Sequence, residues 1–94
     1  MDLLTFKESL AANEPPQNIS VYLTALWYEA KGKWDEAHKL IQDITDSNAS
    51  WIHAYLHRKE GDTGNADYWY RIAGKKRPPV SVQTEWDEIV TSLI

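Results

Sequence analysis

Between Ser20 and Gly74 the chain is nearly a duplicate of itself. An offset of 29 residues carries Leu23 onto Ile52, Ala25 onto Ala54, Leu26 onto Tyr55 and Trp27 onto Leu56. The same offset carries Tyr28 onto His57, Gly32 onto Gly61, Ala37 onto Ala66, Leu40 onto Trp69, Ile41 onto Tyr70 and Ile44 onto Ala73. Small residues fall on small ones, and large apolar or aromatic ones mostly on their like. A fixed period of this kind marks stacked supersecondary units, each of which buries its apolar face against the next.

Within each copy the apolar spacing is helical. Leu23, Leu26, Trp27 and Ala30 recur at three and four, which predicts a helix from Ser20 to Lys31 closed by Gly32. Trp34, Ala37, Ile41 and Ile44, joined by Leu40, predict a partner helix from Trp34 to Ile44. So short a connection makes the two antiparallel neighbours. The second copy predicts a helix from about Asn48 to Glu60, capped by Asp46 or Ser47 and presenting Ile52, Tyr55, Leu56 and Lys59. Gly61 ends it, and a fourth helix runs from about Gly64 to Gly74 on Ala66, Trp69, Tyr70 and Ala73. Ala37 and Ala66 let the helices of each hairpin approach near the turn. Before the repeats, Asp2 caps a short helix carrying Leu3, Phe6 and Leu10, and Pro15 and Pro16 enforce a break. After them, KKRPP (Lys75–Pro79) is a stop. Ser81 or Thr84 then caps a last helix with Val82, Trp86, Ile89, Val90 and Leu93 on one side, Thr84 and Asp87 having capping-box spacing. The reading is all-α: an N-terminal helix in 1–14, repeat one in 20–45, repeat two in 47–74 and a capping helix in 81–94. Both end helices suit the job of covering the open ends of a stack.

Ninety-four residues suit one domain. Five Trp and five Tyr in so short a chain supply large buried area per residue, or surface anchors. The net charge of −4 argues against a duplex-binding surface. The absence of Cys excludes disulfides, thiolate chemistry and Cys-ligated zinc. The N-terminal stretch lacks the basic start and apolar core of a signal peptide, and no run has the length of a membrane span. A soluble cytoplasmic protein is expected.

The run Gly32-Lys-Trp34-Asp-Glu-Ala37 with Ile41 and Ile44 resembles a tetratricopeptide repeat. Gly61, Ala66, Tyr70, Ala73 and Pro78 repeat the match, and Tyr28, Ala25 and Ala54 suit that family's first helix. Asn65 to Ala73 is also similar to the second helix of Sel-one-like repeats. The resemblance covers about Val21 to Pro78. It departs in period, 29 residues against about 34, and in copy number, two against the three that stability normally asks for. The resemblance implies a scaffold that binds a protein or peptide and supplies no catalytic residues; no cofactor is expected, and apolar surface left by only two copies makes a second copy of the chain one candidate partner. Its concave face would present Tyr22, Leu26 and Glu29, then Trp51, Tyr55 and Arg58, with Lys59 at the edge. Trp51, Tyr55 and Arg58 share one helix face, are of the types enriched at binding hot spots, and Arg58 can hold a carboxylate bidentately. The same residues can instead pack against the N-terminal helix, with Arg58 paired to Glu29 or another acid.

Two other groups carry chemistry. His53 and His57, at i and i+4, have chelating spacing but lack the Glu of the zinc-protease signature. A third ligand would come from His38, Asp62 or Asp67, and nothing in the sequence places one. The bland alternative is a pair of boundary histidines hydrogen-bonded to a neighbour. Arg71, Lys75, Lys76 and Arg77 could meet phosphate or an acidic partner, although cations are expected at a helix C-terminus. No carboxylate pair is placed for acid–base work. Gly61-Asp-Thr-Gly64 is a connector, because a phosphate loop needs the Lys-Ser/Thr pair. The expected function is a small adaptor; a metal-binding protein or enzyme built on His53 and His57 is the alternative.

Overall fold

A computed structural model describes residues 1–94. Every regular element is helical: α1 (Leu3–Glu8), running into a single 3-10 turn at Ser9–Ala11, then α2 (Val21–Ala30), α3 (Trp34–Ile41), α4 (Ser47–Glu60), α5 (Thr63–Ile72) and α6 (Val82–Leu93). The all-α expectation is met. The helix starts follow from local chemistry. Asp2, Ser20, Asp46, Asp62 and Ser81 each accept a hydrogen bond from the backbone N–H three residues on, satisfying a donor that the first turn cannot. Helix α3 has no such cap; Asp35 and Glu36 in its first turn complement its dipole instead.

The ends of α2 and α4 are built alike, 29 residues apart. The Lys33 N–H reaches back to the Tyr28 carbonyl and the Asp62 N–H to the His57 carbonyl, both at 2.9 Å. Gly32 and Gly61 sit between with φ of +81° and +91°. This is the reverse turn that closes a helix on a left-handed residue, and glycine holds that conformation without a Cβ penalty. It folds α3 back on α2 and α5 back on α4, and α4 packs the second hairpin against both helices of the first. Ala37 and Ala66 are fully buried at the close approaches.

Some boundaries differ from those expected. The 14-residue N-terminal helix is shorter, since α1 and its 3-10 turn stop at Ala11, ahead of Pro15. Helix α3 stops at Ile41 rather than Ile44, because the chain turns at Gln42 into the Asp46 cap. Helix α5 begins at Thr63 rather than Gly64, because Asp62 is its cap. The Thr84–Asp87 capping box does not form. Ser81 is the cap, and Asp87 binds Lys7 and Gln83.

The largest departure is the course of α6. It packs on α1, α2 and α4 instead of covering the end of the stack beyond α5. Trp86 donates its indole N–H to the Leu26 carbonyl at 3.1 Å and lies against the Phe6 ring. Ile89 and Val90 are fully buried in the same core as Leu26, Ile52 and Tyr55. No helix is long and apolar enough to cross a membrane.

Candidate functional site

The concave face assigned to a partner is occupied by the chain's own last helix. Leu26 and Tyr55 are buried, and so is the Glu29 carboxylate. Tyr55 donates its hydroxyl to Glu29 at 3.2 Å, and Lys59 pairs with Glu29 from the rim. Arg58 donates to Glu85 at 2.8 Å and to the Val80 carbonyl. Trp51 donates its indole N–H to Glu85 at 3.2 Å. Tyr22 stands apart, bound to Asp46 beside the start of α4. The expected open groove is corrected in part: Leu26, Glu29 and Tyr55 are interior, and Trp51, Arg58 and Lys59 are tied to carboxylates of the same chain.

Glu85 was not singled out by sequence. It lies in the first turn of α6, where an acid is routine, yet it is fully buried. Tyr70 donates to both of its oxygens at 2.7 Å, so three side chains from α4 and α5 converge on one carboxylate from α6. Burial, followed by the bond to Glu85, pushes the Tyr70 phenol well above its ordinary range. Burial and the Glu29 charge do the same to Tyr55. Burial opposes the charge of Arg58, but its hydrogen bond and ion pair with Glu85 raise its pKa. The only sequence signal was that Arg58, if packed inward, pairs with Glu29 or another acid, which does not single out Glu85.

The histidines converge. His53 and His57 face away from α6, toward α3 and α5, and His38 of α3 meets them. Nε2 of His38 lies 3.0 Å from Nε2 of His53. One ring nitrogen from each of the three lies within 4.8 Å of the other two. Nδ1 of His57 binds the Glu60 carboxylate at 2.6 Å. The Trp34 ring stacks on His38 at 4.9 Å and the Trp69 ring on His53 at 3.9 Å, so aromatic walls close two sides. His53 and His57 are buried and His38 is half-buried. Burial, reinforced by the neighbouring imidazoles, lowers the pKa of His53 to about 4, and burial and His57 lower that of His38. Of the third partners the sequence offered, the fold selects His38. Asp62 caps α5, and Asp67 pairs with Arg77 at 3.4 Å.

Arg71, Lys75, Lys76 and Arg77 line one open pocket together with Asp67 and Tyr70. Lys75 sits over the Trp51 ring at 4.1 Å and Arg77 turns to Asp67, while Arg71 and Lys76 are exposed. Comparison with protein-family models, with curated proteins and with solved structures finds no match for this chain.

Proposed function

We propose that the chain is a small tetratricopeptide-like interaction module that binds a protein partner on the outer face of α5, and that the partner is a second copy of itself. One observation carries the reading: α6 turns back into the concave face and leaves the end of the stack uncovered. Tyr68 is 51% exposed there and Ile72 47% exposed. Isolated exposed apolar residues need no explanation, but a pair one turn apart at the end of a repeat stack is where a next unit would pack. Gly64 lies one turn before Tyr68, and nothing stands within 4 Å of where its Cβ would be. Gly64, Tyr68 and Ile72 thus form a line of a hollow and two knobs along one helix face. A two-fold antiparallel pairing centred on Tyr68 sets Ile72 of each copy into the hollow at Gly64 of the other. Such a self-complementary contact is what an isologous dimer requires.

Sedimentation equilibrium over protein concentrations from micromolar to several hundred micromolar tests this. The expected result is a reversible dimer that Tyr68→Lys converts to a monomer with unchanged helix content. A wild type that stays monomeric throughout, or a dimer that Tyr68→Lys leaves intact, overturns the proposal.

A further inference from the structure

We infer that His38, His53 and His57 form a binding site for a divalent transition-metal ion of the zinc class, clipping the first helical hairpin to the second. Two features of the cluster point there. The first is convergence of lone pairs. His38 and His53 place Nε2 atoms 3.0 Å apart, a gap that holds one proton between two nitrogens. A ring nitrogen of His57 joins them within 4.8 Å. A metal ion would take the place of the proton shared in that gap, with the two lone pairs then pointing at the ion. Bonds of about 2.0–2.1 Å to a tetrahedral zinc place ligand nitrogens roughly 3.3 Å apart, so the cluster needs only a few tenths of an ångström at its closest pair.

The second feature is the orienting carboxylate. Nδ1 of His57 is held by Glu60 at 2.6 Å, so Nε2 is the nitrogen left to ligate, and there a metal would displace the long 3.4 Å contact from the Asn65 amide. Metal-ligating histidines donate the other ring N–H to a carboxylate or carbonyl in this way, which fixes the tautomer and raises basicity.

Imidazole-only donors without thiolate suit zinc, nickel or copper rather than magnesium or calcium. Three histidines leave a fourth position, which would take a water molecule. The second group of possible donors, His57 with Glu60 and Asp62, is less suited. Both acids are exposed, Asp62 is engaged as the α5 cap, and Glu60 already holds His57.

The test is titration of the chelator-treated full chain with Zn²⁺ by calorimetry and with Co²⁺ by visible absorption. One equivalent should bind at micromolar affinity or tighter, with the intense visible band of four-coordinate Co²⁺. His38→Gln, on the half-buried side, should weaken Zn²⁺ at least 100-fold with an unchanged circular dichroism spectrum. No saturable binding by the wild type overturns the site. So does unchanged affinity in folded His38→Gln, since a site made of His57, Glu60 and Asp62 would survive that change. If His38→Gln fails to fold, Glu60→Gln and Asp62→Asn decide together: a loss of about 10–100-fold in the first with unchanged affinity in the second supports the site, and unchanged affinity in the first or a loss in the second overturns it.

Discussion

Glu85 is the residue on which most of the polar interior converges. Its carboxylate accepts from Tyr70, Arg58 and Trp51, and it is fully buried. Removing one partner of a buried ion pair leaves the other charge without compensation, which typically costs 3–5 kcal/mol. Arg58 keeps its bond to the Val80 carbonyl and some solvent contact, so Glu85→Gln should lose about 3 kcal/mol in urea unfolding monitored by tryptophan fluorescence. A loss under about 1 kcal/mol would mean that Arg58 finds water instead and that the pair is not what anchors α6. His53 sets a second expectation at this scale, for the metal-free chain with chelator present. Its folded pKa, about 4, lies below the ordinary 6.5, so between these values the unfolded chain binds a proton that the folded chain does not. Stability is therefore full above about pH 6.5 and falls as the pH drops toward 4. His38 shifts in the same direction. Urea midpoints measured from pH 7.5 to 5, where carboxylates remain largely ionised, should decline by the equivalent of about 1–2 kcal/mol. In His53→Gln the decline should be smaller.

At the scale of the helices, the turns carry the repeat. Gly61 has φ of +91°, and a Cβ there would meet no neighbour, so the cost of Gly61→Ala is conformational and not steric. A non-glycine residue in the left-handed region costs roughly 1–2 kcal/mol. The urea midpoint of Gly61→Ala should fall accordingly, with an unchanged slope; a neutral result would mean that the turn relaxes to another closure. These elements were legible because each is written locally. Ser20, Asp46 and Ser81 announce starts, Gly32 and Gly61 announce ends, and the apolar stripes name the buried faces. What was not legible was where α6 goes. The stripe of Val82, Trp86, Ile89 and Val90 suits the end of the stack or the concave face equally well. Burial of Glu85 opposite Arg58 and Tyr70 distinguishes the two, and that is a contact across 27 and 15 residues which no local pattern reports. His38 escaped for the same reason. Chelating spacing inside α4 is visible, whereas a third imidazole from α3 depends on how the hairpins pack.

At the scale of the whole molecule, two hairpins are too few to close a core on their own, and α6 is the element that completes it. Trp86, Ile89 and Val90 enter the cluster that also holds Phe6, Leu26, Ile52 and Tyr55. The same helix brings Glu85, the one carboxylate that both neutralises Arg58 and receives the Tyr70 hydroxyl. A chain ending at Pro79 would expose that apolar surface and leave Arg58 half-buried without its carboxylate. Its remaining helices keep their caps, so helix content should persist while fixed packing is lost. The expected result is a retained far-ultraviolet dichroism spectrum, a collapsed near-ultraviolet signal from the tryptophans, and a broad, shallow urea transition. A truncated chain that instead unfolds sharply, with a slope reduced only in proportion to the surface removed, would show that the hairpins are self-sufficient. In that case α6 would be a displaceable cover over Trp51, Tyr55 and Arg58. The concave face would then be available to a partner that competes with the chain's own C-terminal helix.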